Sequence, residues 1–335
     1  FGEIALVGVP FRTATVVATV VTVARALLTA GCGGETPKPT TAASVSWPSP
    51  SWLSPEAPSS PATSASASTV PSVAAAGAAS CTPGGAWDCA QQRRFAAAAT
   101  LVASKRGKLG VVVHDRGSGA IWRTGSTDNT TWTASTIKLA IAAALLEWNR
   151  DGRITLDATD RANLHTMLNI SSNDAATALW NRYAGQAMFD RFRGVYGMTA
   201  LSVVSGYELF WRNLRCSAED LHRLMVYVLD HLHLDDRVYL IGELRGVASN
   251  QHWGTWAAGS TLNPGNKDGW AQKPDTGGTH WVTHTVGFAG PGERYVVVAT
   301  YSLLPSGTLS DGVHAVSDVV ATIFGAPVPA KISTP

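Results

Sequence analysis

Residues 135–146 read Ser-Thr-Ile-Lys-Leu-Ala-Ile-Ala-Ala-Ala-Leu-Leu; position 137 and every position from 139 to 146 is apolar or alanine. A helix that is apolar on all sides has no solvent face, so it must run inside a domain with other layers around it. Lys138 interrupts the run, and a buried lysine has to be paired. Ser135 stands three residues earlier, on the same helical face. A serine hydroxyl attacks poorly without a neighbouring base, and a lysine kept neutral by burial or by other cations can serve as one. Ser135 is therefore a candidate nucleophile and Lys138 a candidate base or proton relay. Of the seven lysines, only Lys138 has a serine three places before it.

The domain that must enclose this helix is bounded by composition. Residues 35–83 are mainly Ser, Pro, Ala and Thr. Such a stretch buries too little apolar surface to offset its ordering entropy and reads as a flexible tether. The expected layout is an export segment over 1–31, a linker over 32–85, one domain over 86–326 and a short tail over 327–335. The domain is long enough for one well-filled core. A net charge of +2 with no basic stripe gives no nucleic-acid footprint, so no nucleic-acid partner is expected. The absence of Cys-x-x-Cys and His-Glu-x-x-His disfavours a zinc hydrolase, and neither a metal nor another cofactor is expected.

Within the domain, 91–104 reads as an entry helix, and 109–114 and 120–123 as two strands joined at Arg116-Gly-Ser-Gly119. The Ser135 helix ends near Asp151-Gly152. Helical patterns recur at 161–169, 173–184, 187–196 and 218–230. Two or three strands lie between 264 and 304, and Ser310-Asp311 caps a last helix reaching about Phe324. This order predicts an α+β fold: an antiparallel sheet flanked by helices, with a helical lobe inserted.

Two further groupings carry chemistry. Met167-Leu-Asn-Ile-Ser-Ser-Asn173 opens a helix, and Lys267-Asp-Gly-Trp270 opens the strand group. Ser-x-x-Lys, Ser-x-Asn and Lys-x-Gly, in that order, resemble the motif set of the penicillin-recognising serine enzymes, the class A β-lactamases and related penicillin-binding proteins. The likeness runs from about residue 90 to the C-terminus, including the hairpin at Leu109–Gly119 and the strands within Gly287–Tyr301. It implies a five-stranded antiparallel sheet and an acyl-enzyme on Ser135. Ser171 would pass a proton to the leaving nitrogen, Asn173 would orient Lys138 and substrate, and Lys267 would bind a substrate carboxylate and poise Ser171. Backbone N–H groups of Ser135 and Trp270 would form an oxyanion hole, with Gly269 allowing close approach of the substrate backbone. Ser171–Asp174 is also a strong capping sequence by itself, and Lys267 alone reads equally as a solvated loop lysine.

Three departures qualify the likeness. Asp268 replaces the hydroxyl residue usual between the motif Lys and Gly. Its charge would cost roughly 4 kcal/mol beside a substrate carboxylate at 4 Å, unless the side chain turns away or pairs with Lys267. Ser135 and Ser171 are 36 residues apart (171 − 135), a shorter insertion than in class A enzymes, which predicts a smaller lobe and a more open site. Glu208 lies where the family's deacylating glutamate would be sought, in a stretch too short for the full loop. The competing reading is a cell-envelope binding lipoprotein that kept the fold and lost turnover.

The apolar segment Thr13–Val23 follows Arg12 and leads to Leu27-Leu-Thr-Ala-Gly-Cys32. That resembles a bacterial lipoprotein signal with Cys32 lipidated; an ordinary cleaved signal or an anchor is the alternative. Arg25 within the apolar run and Thr29 in the lipobox depart from that pattern, and a natural start other than Phe1 is expected. Export would leave the domain outside the cytoplasm, held to the membrane through Cys32, acting on a small molecule or a cell-wall peptide. Cys81 and Cys89 enclose a short loop that could close as a disulfide, or Cys216 pairs with one of them. The cluster Asp230-His231-Leu-His233-Leu-Asp235 reads as a solvated helix end. His280 and His284 share one strand face with Trp281 and Thr283 on the other, and default to ordinary strand positions. Gln251-His-Trp-Gly254 has no assigned role; it resembles a pattern in an actinobacterial lipoprotein subgroup.

Overall fold

The computed structural model describes residues 81–82, 85–183, 185–275 and 277–335. The export segment and Cys32 lie outside the described residues, as does nearly all of the linker. Helix α1 (Cys89–Ser104) leads into strands β1 (Gly107–Asp115) and β2 (Ala120–Gly125). A short strand β3 (Thr131–Trp132) and a 3₁₀ turn (Ala134–Thr136) precede helix α2 (Ile137–Arg150). The lobe follows as α3 (Ala158–Asn169), α4 (Asn173–Arg182) and α5 (Gly185–Gly194), then strands β4 (Ser202–Val203) and β5 (Leu214–Cys216). Helices α6 (Ala218–Asp230) and α7 (Leu234–Arg245) lead to β6 (Gly265–Asp275), β7 (Gly278–Ala289), β8 (Tyr295–Leu303) and α8 (Leu309–Phe324).

The main sheet is antiparallel with order β2-β1-β8-β7-β6, and β3-β5-β4 form a small second sheet. Strand alternation sends Val112, Val286, Val296 and Val298 into the core shared with the helical lobe. Their neighbours Val111, Val113, Ala299 and Tyr301 face Phe95 of α1 and Val316 of α8. Both faces are covered, which is why β8 reads as a continuous apolar run rather than an alternating one.

Eleven of the fourteen residues of α2 are buried, including Lys138 at 0% exposure. Helices α3, α4, α5 and α7 touch it, so its all-round apolarity is used on all sides. The Asp230–Asp235 cluster lies at exposed helix ends as expected, while the presence of α7 after it and the cap of the last helix differ from expectation. The Asp230–Asp235 cluster is a junction between two helices: His231 ends α6, and the His233 side chain accepts from Asp235 N to cap α7. The last helix is capped two residues earlier than predicted, by Thr308 in a reciprocal box with Asp311. Cys81 and Cys89 form the disulfide, and Cys216 is a free thiol, buried.

Candidate active site

The site assembles where α2, the start of α4 and β6 converge. Ser135 sits in the 3₁₀ turn ahead of α2 and is 9% exposed. It opens onto a cavity of about 210 Å³ lined by Ala134, Ser171, Asn173, Trp211, Arg212, Trp270, Ala271 and Lys273. Ala134 (φ 46°) and Ser171 (φ 62°) are two of the four non-glycine residues in the left-handed region among those described. Such backbone costs of order 1–3 kcal/mol and persists only where its surroundings hold it; here two of the four flank one cleft.

Gly269 brings β6 against this turn. A Cβ on it would stand 2.8 Å from Ser135 N and 2.9 Å from Thr136 N, closer than real contacts allow. The close approach expected for a substrate backbone is thus first an approach of the strand to the Ser135 turn. Any larger residue at 269 would push the two apart.

Lys138 does not donate to Ser135. Its amine donates to Ser171 O (2.6 Å), Ser171 Oγ (3.2 Å) and Asn173 Oδ1 (2.9 Å). The i,i+3 spacing puts both residues on one face, but the acceptors of the Ser-x-Asn segment capture the ammonium. Lys267 approaches the same hydroxyl from β6: it donates to Ser171 Oγ (3.0 Å), to Asp268 O (2.9 Å) and to Gln251 Oε1. Ser171 therefore lies between two lysines. Capping of α4 falls to Ser172, whose hydroxyl accepts from Ala175 N (3.2 Å), which leaves Ser171 available. Burial, then Lys267 and Arg212, lower the Lys138 pKa to about 6. Burial lowers that of Lys267 to about 7, opposed by Asp268. Far from a solvated loop lysine, Lys267 is fully buried.

Asp268 is also buried at 0% exposure, but strand alternation turns it to the face opposite Lys267. Neither carboxylate oxygen has a hydrogen bond of good geometry, although Thr285 and Asn266 stand near enough to oppose the shift. Burial drives its pKa well above the ordinary carboxylate range. It does not line the cleft. The like charge expected beside a substrate carboxylate is absent because the side chain points elsewhere.

Glu208 does not join the site. It is exposed in the turn before Trp211, where its main-chain carbonyl accepts from Asn213 Nδ2 (3.2 Å), and it does not line the cleft. The indole of Trp211 stands in the cleft instead, with Lys138 Nζ 5.0 Å from its centre. Among the described residues no carboxylate bonds Lys138 or lines the cavity.

Gln251, unassigned in the sequence, is the hub behind Lys267. It is 0% exposed and its Nε2 donates to Leu168 O and Asn169 O (both 2.7 Å), while its Oε1 accepts from Lys267 and from Asp268 N (3.2 Å). It ties β6 to the end of α3. His252 stacks on Trp256 at 4.0 Å, Trp253 is core, and Gly254 (φ 58°) presses on Thr285 where a Cβ would collide. His284 accepts from Tyr301 N and donates to Trp132 O, and His280 bonds Ser302 Oγ; both are structural.

This geometry agrees with what the chain is similar to. The model of the Beta-lactamase enzyme family matches residues 93–163, which contain Ser135 and Lys138. A class A β-lactamase from Mycobacterium abscessus superposes with TM-score 0.56 at 18% identity, over 70% of this chain and 100% of that one. A β-lactamase from Xanthomonas campestris gives 0.56 at 18% identity, over 70% and 98%. The chain has the fold of the class A β-lactamases, and the part of it that holds Ser135 and Lys138 matches the Beta-lactamase enzyme family. The mycobacterial protein named "Putative lipoprotein LppW", from M. tuberculosis and M. bovis, is 31% identical over 201 residues, covering 57% of this chain. The match spans 62% of the length of those relatives. Within the β-lactamase-like frame, the sequence missed Trp211, Arg212 and Lys273 as cleft walls. The period-two pattern of β6 could have found the last: Lys267, Gly269, Ala271 and Lys273 share one face.

Proposed function

We propose that the chain is a serine hydrolase-type acyl-transfer enzyme in which Ser135 is acylated by a β-lactam or a related amide or peptide. The observation that carries this reading is the Ser171 hydroxyl held between Lys138 and Lys267 beside Ser135. At neutral pH a lysine with a pKa near 6 is mostly uncharged and can take a proton. In the proposed step Ser135 Oγ bonds to the carbonyl carbon and its proton passes to Lys138. The C–N bond then breaks, and Ser171 supplies a proton to the departing nitrogen, replenished from the lysines. Gly269 lets the strand lie against Ser135 N, and the N–H groups of Ser135 and Trp270 would form the oxyanion hole.

The apolar segment before Cys32 and the name of the mycobacterial relatives support export and a lipid on Cys32. A second reading, a binding lipoprotein without turnover, is favoured by the indole of Trp211 standing where no carboxylate does. A labelled penicillin and a fluorophosphonate test the first. Ser135-dependent labelling, lost in Ser135→Ala, supports it; no labelling by either probe rejects it in favour of the second.

A further inference from the structure

The cleft carries a second pair of cations that the acylation step does not use. Arg212 and Lys273 both line it, and among the described residues neither forms an ion pair. Each instead lies on an indole: Arg212 Cζ is 4.9 Å from the centre of Trp211, and Lys273 Nζ is 4.4 Å from that of Trp132. Lys273 also donates to Arg212 O (3.3 Å), so the two cations are neighbours. An indole face attracts a cation without neutralising it. The cavity lining thus holds two cationic side chains and no acidic one. Low-dielectric walls lined by one sign of charge concentrate the opposite sign.

Strand β6 orders the site. Lys267 meets Ser171, Gly269 meets Ser135 N two residues later, and Lys273 stands four residues beyond that, on the same face. At the rise of a β-strand, the Lys273 backbone is about 14 Å along from Gly269, so Lys273 lines the cavity at its far end rather than beside Ser135. Ser171 marks the end where the leaving nitrogen would be protonated. The opposite end, past the carbonyl, is where the acyl arm of the substrate would lie.

We propose that Arg212 and Lys273 form a subsite for a carboxylate carried on the acyl arm of the substrate. The planar guanidinium matches a carboxylate in fork geometry and the ammonium adds a point charge. This rests on Ser135 acylation, and it fixes a substrate class: acyl donors anionic at the arm as well as beside the leaving nitrogen.

The test compares benzylpenicillin with its α-carboxy analogue, which differ by one carboxylate on the acyl arm. The second-order rate of Ser135 acylation is followed by intact-protein mass spectrometry on the full chain. The α-carboxy compound should react faster at low ionic strength, with an advantage that added salt erodes. The Arg212→Gln/Lys273→Gln double variant should shrink the ratio of the two rates about tenfold, in the range for losing a charge-assisted hydrogen bond. Arg212→Lys should retain most of it. Arg153→Gln, which removes a cation lying on Trp148 outside the cleft, should leave the ratio as it is. An unchanged ratio in the double variant overturns the subsite. If neither compound acylates Ser135, the acyl-enzyme reading has failed and the subsite is judged by calorimetric titration with the two ring-opened penicilloates. Preference for the α-carboxy form, lost in the double variant, sustains it; equal binding refutes it.

Discussion

Lys267 and Lys273 are the same residue on the same face of the same strand, six positions apart, yet the fold treats them in opposite ways. Lys267 is sealed and donates to three oxygens, on Ser171, Gln251 and Asp268. Lys273 is half-buried, donates to one carbonyl and rests on an indole. The difference separates the deep end of the cleft from its mouth. At the deep end the amines are enclosed by acceptors, and burial draws the lysine pKa values toward neutrality. At the mouth the cations keep unspent donor capacity and are at least partly open to solvent. On the proposed reading, chemistry and recognition are divided along one strand.

The comparison breaks first at its deep end. Lys138→Met should lower Ser135 acylation by about 10²–10⁴-fold, the usual weight of a positioned base, with the melting temperature showing that the fold remains. A loss under threefold would mean that Lys138 is only structural. Gln251→Ala comes next: it strips Lys267 of an acceptor and leaves buried groups unpaired. It should cost about 1–3 kcal/mol in urea unfolding and slow labelling as well. Were stability to fall with labelling untouched, Gln251 would be a fold residue alone.

The pH profile sharpens the same division. Acylation should rise as pH passes about 6, where Lys138 loses its proton, and the rising limb should be missing in Lys138→Met. Stability gives opposing signs. Both deep lysines have folded pKa values below their unfolded ones, so their contribution grows as pH rises from about 6 toward the ordinary lysine value. Asp268 is raised, so its contribution is full below its unfolded pKa and is lost as pH climbs toward the folded one. The stability of Asp268→Asn relative to the wild-type chain should therefore improve between pH 4 and 8 (roughly the window above the unfolded value). A flat difference would mean that Asp268 is ionised and paired. The smallest effect belongs to Glu208→Gln, expected to change adduct lifetime less than about twofold, as for an exposed surface group. A tenfold longer lifetime would place that carboxylate in the chemistry after all.

Much of this arrangement could be read from the chain, for identifiable reasons. The lysine inside an all-apolar helix announced a buried, partnered amine, and the three ordered motifs announced which segments meet it. The α+β architecture followed from the order of strand and helix patterns. Helix α7 escaped because its apolar residues lie on two sides: Leu240 and Leu244 are buried while Leu234 and Val238 are exposed. Gln251 escaped because its role is made by contacts to residues 16 and more than 80 positions away, with no local pattern. The role of Asp268 turned on which way one side chain points, which alternation within β6 decides and a motif string does not express.

Gly269 sets the spacing between the strand and the Ser135 turn through main-chain atoms alone. Exchanges at 271 and 273 can therefore reshape the mouth without widening the gap at Ser135. A lineage built on this scaffold could alter the rim while Ser135 and the strand beside it stay in register. The position that cannot drift is the one with no side chain.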